Sequence, residues 1–495
     1  MPPDEQHDPP HPPGDYPVVV IGSGPGGLQT SYCLSRLGVE HAVISEDDRP
    51  AGMFRKWPIF QRLLSWSKPD APYPSDAEEY EWYDHNSLLA DEPANRALVP
   101  AGMDRTRMVP SRPEIERGLV AFAELAGVRV RYGCRWEATR RDEDGFTLVM
   151  SDGEYRCRAV VFATGVTAPW KSPIPGIEDV PHYFECRDPR SYQAKTVFVI
   201  GKRNSGFEIA DGLEPWARRI ILVSPRPVQT GVLALATVRV RYFEPLEDAS
   251  WGGGTFALDA AIERVERLNG GFRIHAHGTT RPGDLVIDAD DAIAATGFSV
   301  PLQDLRDLGL ATVANDRIPA LTPFWESATV PGIYFAGNAT QGAAGLRKHG
   351  VGSASGTISG FRYNARLLAR HLAETRFGVS LSKRALTESE LVPFLLSELT
   401  RGPALWNQKG YLARVVSLGS SGGLRDEGIQ PLQHFVDSAG PDAVAASVEM
   451  DGQATICPVV YVRRNGRVEE RVMDPHPLHE FEGEEYRRAV EEALG

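Results

Sequence analysis

YPVVVIGSGPGGLQTSYCLSRLGVEHAVISE, running from Tyr16 to Glu46, is the stretch that decides the fold. Val18 to Ile21 form an unbroken apolar run, suited to a strand buried on both faces of a parallel sheet. Gly22, Gly24 and Gly27 follow as G-x-G-x-x-G, with Ser23 and Gly26 completing the loop. Leu28, Leu34 and Leu37 mark the inner face of a helix, and Gly38 stands near its C-terminal end. A second strand, His41 to Ser45, then delivers Glu46, nineteen positions after Gly27. Each part has a task in holding a dinucleotide. Gly22 permits the tight turn, Gly24 leaves room for a pyrophosphate, and Gly27 lets helix and strand pack closely. The helix N-terminus offers N–H groups to the phosphates, and Glu46 can accept from ribose hydroxyls.

A second copy of this pattern starts at Thr196 and includes VIGKRNSGFEIA, Val199 to Ala210. Gly201, Asn204, Ser205 and Gly206 keep the loop, but Arg203 replaces the middle glycine. An arginine there can swing outward and meet phosphate. The following strand, Arg219 to Val223, runs into Ser224-Pro225-Arg226, with no acid at the ribose position. Serine and arginine at that place suit the 2′-phosphate of NADP better than the free hydroxyl of NAD.

Two Ala-Thr-Gly turns, in VVFATGVTAP (Val160 to Pro169) and DDAIAATGFSVP (Asp290 to Pro301), bracket this second unit. The first supplies Thr164 and Gly165 beneath a bound cofactor. A further strand, Ile333 to Ala336, ends in Gly337-Asn338 and leads into a helix whose first N–H groups would face a flavin, with Arg347, Lys348 and His349 beside it. The fold expected is α/β: two Rossmann-like three-layer dinucleotide-binding domains, the NADPH domain inserted in the FAD domain, plus a small C-terminal α+β region. The boundaries are a disordered arm over residues 1–15, an FAD domain over 16–189 and 286–375, an NADPH domain over 190–285, and the C-terminal region over 385–495. In that last region Leu391 to Leu399 and Tyr411 to Val416 read as short helices, Gly419 to Gly423 as a linker. Ala443 to Met450, Ala454 to Val462 and Arg467 to Val472 read as strands, and Glu484 to Leu494 as an acidic amphipathic helix. The region could cap the active site or join two copies as a homodimer.

Composition excludes several classes. The net charge of −13, from 53 basic and 66 acidic residues, argues against nucleic acid as partner. No apolar run approaches the ~20 residues that cross a bilayer, and the acidic, proline-rich start has no apolar signal core. The cytoplasm is the expected compartment. Cys33, Cys134, Cys157, Cys186 and Cys457 form neither CxxC nor CxxxxC, so no redox dithiol and no metal site is expected.

Together the two loops, the paired Ala-Thr-Gly turns and the GIYFAGN strand resemble the two-dinucleotide-binding-domain flavoproteins over about Tyr16 to Arg370. That superfamily includes the glutathione-reductase-like disulfide reductases and the class B flavin monooxygenases. The missing dithiol sets the reductases of disulfides aside. GKRNSGFEIA is similar to the NADP loop of flavin monooxygenases and amino-acid N-hydroxylases, and DDAIAATGF to their second Ala-Thr-Gly motif. AGMFRKWP (Ala51 to Pro58), LLSWSK (Leu63 to Lys68), WYDHNSLLAD (Trp82 to Asp91) and SGFRYNAR (Ser359 to Arg366) resemble FAD-dependent oxidoreductase-domain proteins and nitrosuccinate-synthase-type N-monooxygenases. The departures are a linker in which only His182 survives, Ser67 in place of an asparagine, and Asn338 in place of an aspartate. HPLHE (His476 to Glu480) is similar to a glutathione reductase segment but reads as a solvated tail.

The resemblance implies FAD and NADPH as cofactors, molecular oxygen and a small molecule as substrates, and oxygen transfer from a flavin C4a-hydroperoxide to a nucleophile, first an amine nitrogen. Lys68, Asn86 and Arg347 are the expected catalytic residues on the reaction side of the flavin. Lys68 or Arg347 would pair with a substrate carboxylate, and Asn86 would hold the peroxide or the nicotinamide amide. The competing class is an NADPH-dependent reductase that passes electrons to a quinone, an external disulfide or a protein partner; a flavin-binding scaffold is the third.

Overall fold

A computed structural model of the chain describes residues 9–228, 254–419 and 423–495. Residues 1–8 of the expected arm, 229–253 of the expected NADPH domain and 420–422 of the expected linker lie outside the described residues.

The first sheet is built around the strand Gly14–Ile21, which runs parallel to His41–Ile44 on one side and Gly153–Phe162 on the other. The far edge of Gly153–Phe162 is shared. Its first half pairs antiparallel with Phe146–Met150, which carries Trp136–Arg141, and its last three residues pair parallel with Ile333–Phe335. Because side chains alternate across a strand, Val18 and Val20 face one core while Val19 and Ile21 face another. Helices Pro25–Arg36, Arg112–Leu125 and Ile358–Phe377 cover the first face. Residues 9–15, assigned to a disordered arm, are instead held. The Tyr155 hydroxyl donates to the His11 carbonyl at 3.1 Å, and Gly14 and Asp15 are already in the sheet.

The second sheet runs in the order Asp284–Ala289, Gly271–Gly278, Thr255–Leu268, Arg219–Ser224, Thr196–Ile200, Asp291–Ala294. Its last four members are parallel and the first two join by antiparallel hairpins. Residues 286–294, placed from sequence in the first domain, therefore belong to the second sheet. Asp291–Ala294 completes its edge against Thr196–Ile200, a pairing across some ninety residues that no local pattern reveals. Where the chain passes between the two units, Ala168–Pro169 pairs antiparallel with Phe298–Ser299. The Trp170 N–H donates to the Gly297 carbonyl at 3.1 Å, and the Thr296 hydroxyl to the Trp170 carbonyl at 2.6 Å.

A third, antiparallel sheet of six strands makes up the C-terminal region, in the order Ala385–Leu386, Leu424–Pro431, Leu412–Leu418, Ala443–Met450, Ile456–Arg464, Arg467–Val472. Tyr411 to Val416 is not a helix. Leu412–Leu418 is a central strand, paired on both sides, and its β-branched Val415 and Val416 suit that place. Helices Glu388–Arg401 and Glu484–Leu494 pack on the sheet. One continuous apolar core runs from Val18 and Leu28 through Phe361 and Leu368 to Leu395, Leu405, Val444 and Phe481. The C-terminal region thus shares its interior with the first domain. Among the described residues no helix is long and apolar enough to cross a membrane.

Candidate functional site

The two glycine loops have one geometry. Gly22 has φ +112°, and a Cβ there would lie 2.6 Å from the Ala163 carbonyl oxygen; Gly201 has φ +130° and would meet the Ala295 oxygen at 2.5 Å. Each loop thus lies against its own Ala-Thr-Gly turn. A Cβ on Gly27 would sit 1.9 Å from the Gly22 oxygen, and one on Gly206 2.2 Å from the Gly201 oxygen. The middle positions differ in chemistry but not in path. Gly24 has φ −72° and ψ −179°, and Arg203 has φ −107° and ψ −169°. Arg203 is exposed, so its side chain leaves the loop while the backbone still opens the helix Asn204–Leu213. Beside it Lys202 is buried in an ion pair with Asp259, whose other oxygen accepts from the Thr280 hydroxyl at 2.8 Å.

Both helix starts open onto one cavity of about 640 Å³. Of the residues singled out from sequence, Gly22, Ser23, Gly24, Gly26, Glu46, Asn86, Thr164, Gly165, Asn204, Ser205, Gly337 and Asn338 line it. Gly27 and Gly201 lie behind the wall, where they set the packing just described. Ser224 and Arg226 are at the carboxyl end of Arg219–Ser224, with Arg226 exposed and outside the wall. Asn338 acts as a clasp: its Oδ1 accepts from the Val166 N–H at 2.8 Å, joining the terminal strand to the first Ala-Thr-Gly turn. A Cβ on Gly26 would approach Gly337 to 2.5 Å, so helix and clasp touch backbone to backbone.

Two expectations about the cavity are corrected. Lys68 does not line it; the side chain is exposed, with Nζ 5.8 Å from the centre of the Tyr83 ring. Arg347 is also exposed and outside the wall. Its neighbour Lys348 turns to the C-terminal sheet, where Nζ lies 2.9 Å from Glu449, 2.6 Å from Glu470 and 3.0 Å from the Tyr461 hydroxyl. His349 faces the same Glu449 at 3.5 Å. Paired acids draw this basic loop away from the cavity.

Asn86 remains at the wall, fully buried. Its Nδ2 donates to the Ser65 carbonyl at 3.1 Å and to Ser67 Oγ at 3.0 Å, and its N–H to Asp84 at 3.0 Å. Ser67 also donates to Asp84, and an isolated antiparallel bridge between the same two residues ties the segments LLSWSK and WYDHNSLLAD at this point. Among the described residues Asn86 Oδ1 has no partner, nor do Gln61 Oε1, Trp57 Nε1 and Thr164 Oγ1, and all four residues line the cavity. Leaving a buried polar atom unpaired costs about 1–3 kcal/mol. Four of them around one space, with nothing within 4 Å of a Cβ on Gly24, fit a large polar ligand that carries both donors and acceptors. Trp57, Gln61 and Glu208 were not singled out from sequence. Trp57 stands inside AGMFRKWP, but nothing local marks which of its residues faces a ligand.

Three acids, Glu46, Asp47 and Glu208, and two bases, Lys56 and Arg62, line the cavity. Lys56 lies 3.4 Å from Glu46 and 3.0 Å from Asp47; burial lowers its basicity, yet the two acids together hold the ammonium above its ordinary value. Glu208, on the second loop's helix, accepts from the Tyr183 hydroxyl at 2.6 Å and from the Arg62 N–H at 3.0 Å, which joins the two domains across the cavity. His182 is fully buried under the second Ala-Thr-Gly turn; its Nε2 donates to the Gly297 carbonyl at 2.9 Å. Burial keeps its imidazole below the usual pKa despite that bond.

A family model described as pyridine nucleotide-disulphide oxidoreductase matches residues 19–337, from the first strand to the clasp. The chain belongs to that family. This member is a flavoprotein oxidoreductase of the FAD- and NAD(P)H-binding kind. It is 25% identical over 460 residues to the FAD-dependent oxidoreductase domain-containing protein 2 of Danio rerio, a match spanning 82% of this chain and 66% of that one. The chain therefore spans just under two thirds of that relative's length. The ferredoxin--NADP reductase of Salinispora tropica is 25% identical over 350 residues, covering 69% of this chain and 92% of the relative. The ornithine N-hydroxylase of Kutzneria sp. 744 superposes with a TM-score of 0.55 at 16% identity, covering 73% of this chain and all of that one. Despite the family's description, all five cysteines of this oxidoreductase are free thiols.

Proposed function

We propose that the protein is an FAD-dependent, NADPH-using monooxygenase that transfers an oxygen atom to a small-molecule nucleophile, an amine nitrogen. The observation that carries this reading is the single cavity shared by both glycine loops, walled by Trp57, Leu63, Leu64, Phe298 and Phe361, and facing no cysteine pair. Without a dithiol there is no covalent relay for electrons, and an apolar wall excludes water from the space between the two nucleotides. Bound FAD would supply the redox chemistry, accepting a hydride and delivering two electrons to oxygen.

The chain's own part is placement. Gly24 and the N-terminus of Pro25–Arg36 would take the flavin pyrophosphate, and Glu46 the adenosine ribose. Asn204 and Ser205, at the start of the second helix, would meet the nicotinamide nucleotide's phosphates. Arg226 would face the 2′-phosphate, with Arg203 exposed at the same ends of the strands. Asn86 would present its unpaired Oδ1 as a fixed acceptor for an N–H of flavin, nicotinamide amide or substrate amine. The N-hydroxylase of like fold oxidises an amine, whereas the ferredoxin reductase relative favours the competing reading, transfer to an electron acceptor without oxygen insertion.

Oxygen uptake measured with NADPH and a panel of amino acids and amines separates the two. An oxygenated product in step with NADPH consumption is the expected result. Release of all consumed oxygen as hydrogen peroxide, with faster turnover on a quinone or ferredoxin, would establish the reductase instead.

A further inference from the structure

The C-terminal region, residues 385–495, is tied to the cofactor site through a buried amide. Gln408 lies between the short helix Pro403–Asn407 and the strand Leu412–Leu418 of the C-terminal region, and it is fully buried. Its side chain makes its bonds outside that region. Nε2 donates to Asn364 Oδ1 at 2.8 Å and to Ser355 Oγ at 3.1 Å, and Oε1 accepts from the Ala354 N–H at 2.9 Å. Asn364, also fully buried, donates through Nδ2 to Thr340 Oγ1 at 3.0 Å and to Ser355 Oγ at 2.9 Å. Thr340 Oγ1 in turn donates to the Gly337 carbonyl at 2.6 Å. Gly337 belongs to the clasp that lines the cavity, against Gly26.

A second contact holds the same segment. Tyr411, three residues after Gln408, accepts from Trp325 Nε1 at 3.1 Å, and its ring covers Gly345, where a Cβ would lie 2.7 Å away. Gly345 has φ +66°, so a larger residue is opposed both by its backbone and by the ring. The stretch from Gly337 to Ile358, whose two ends line the cavity, is therefore pressed between the cofactor site and the C-terminal sheet. Polar networks in a dry interior act as units: one absent member leaves the others unpaired.

We propose that Gln408 is a positioning residue for the flavin, through which the C-terminal region sets the place of Gly337–Asn338 and of the first turn of the helix Ile358–Phe377. The C-terminal region is then the rear wall of the FAD site. This rests on the assignment of the cavity to FAD, and the experiment keeps the two claims apart. The 495-residue chain is stripped of flavin, and FAD affinity is measured by fluorescence titration together with the visible circular dichroism of the bound flavin. Gln408→Met keeps the volume and removes three hydrogen bonds. Leu395→Ala, in the core of the C-terminal region and outside the cavity wall, serves as the stability control.

The expected result is a loss of FAD affinity of about 10- to 100-fold in Gln408→Met, as one or two buried hydrogen bonds would give, with an altered flavin dichroism. Leu395→Ala should lower the melting temperature at least as much while leaving affinity and dichroism as in the wild type. Equal affinity in Gln408→Met and wild type, or an equal loss in Leu395→Ala, would overturn the inference. Wild-type protein that takes up no FAD would overturn the site assignment itself. If Gln408→Met does not fold, Thr340→Val cuts the same network at its cavity end, and the same outcomes decide.

Discussion

Gly206→Ala is the substitution that should uncouple the two nucleotide sites. The added Cβ would lie 2.2 Å from the Gly201 oxygen, 3.0 Å from the Gly201 carbonyl carbon and 3.3 Å from Leu222 Cδ2. Ordinary contact begins near 3.4 Å, so the loop must retreat by 1.2 Å from its helix or the helix must move by that amount. The retreat is taken by backbone, since the opposing atom is a carbonyl oxygen and not a mobile side chain. Overpacking of this kind costs about 1–3 kcal/mol, which a chain of this size tolerates. Its effect on chemistry is larger, because a displacement of about 1 Å in a reacting pair can lower a rate by about 100-fold. The first glycine loop lies in the other sheet and is untouched. The assay is anaerobic stopped-flow mixing with NADPH, read as loss of flavin absorbance, after flavin content has been quantified. Full flavin content with reduction slowed by about 100-fold, or with a comparable rise in the NADPH concentration needed, is expected. Reduction at the wild-type rate would refute the assignment of this loop to the nicotinamide nucleotide. So would flavin loss in proportion to the loss of rate.

Three further outcomes follow from particular side chains. Arg226→Ala should raise the KM for NADPH by about tenfold, one charge-assisted bond at an exposed site, and leave that for NADH within twofold; steady-state kinetics with both nucleotides decide it, and equal effects would remove Arg226 from the 2′-phosphate. Asn86→Leu removes the unpaired acceptor and the bonds to Ser65 and Ser67, so oxygenated product per NADPH should fall about tenfold as peroxide release rises, measured by coupled assays. Acid should destabilise the protein through His371 and His85, each lowered by burial from 6.5 to about 4. The unfolded chain takes up these protons as pH falls through 6.5 and the native chain does not until about 4, so stability present above 6.5 is lost across that window. His371, stacked on Phe324 with ring centres 4.1 Å apart, should accept phenylalanine, and thermal melts of His371→Phe should show a flatter dependence between pH 6.5 and 4 than the wild type.

Residues whose role is local were legible in the sequence. Gly22, Gly27, Gly201 and Gly206 are required by a turn or a close approach that any βαβ unit imposes, so spacing alone revealed them. Arg203 could be kept in the pattern because the replaced glycine needs no positive φ. What stayed hidden was set by distant partners. Lys68 and Arg347 are basic residues in the right segments, but which side of a loop faces the cavity depends on Tyr83, Glu449 and Glu470, and none of these is near in sequence. Leu412–Leu418 has apolar residues at spacings that also suit a helix, and only its two sheet neighbours make it a strand. Gln408 carries no motif, and its partners lie 44 and 53 residues away.

The paired segments Ala168–Pro169 and Phe298–Ser299 bear on movement during turnover. An inserted unit hung from one connector could swivel about any axis, but here both connectors lie side by side and are stitched through Trp170, Thr296 and Gly297. The two connectors therefore move together or not at all, which restrains how the inserted unit can turn against the first. Across the cavity from this ribbon the Arg62 amide meets Glu208, and Trp57, Phe60 and Leu64 pack on the core of the inserted unit, so any opening there must part apolar side chains as well as that bond.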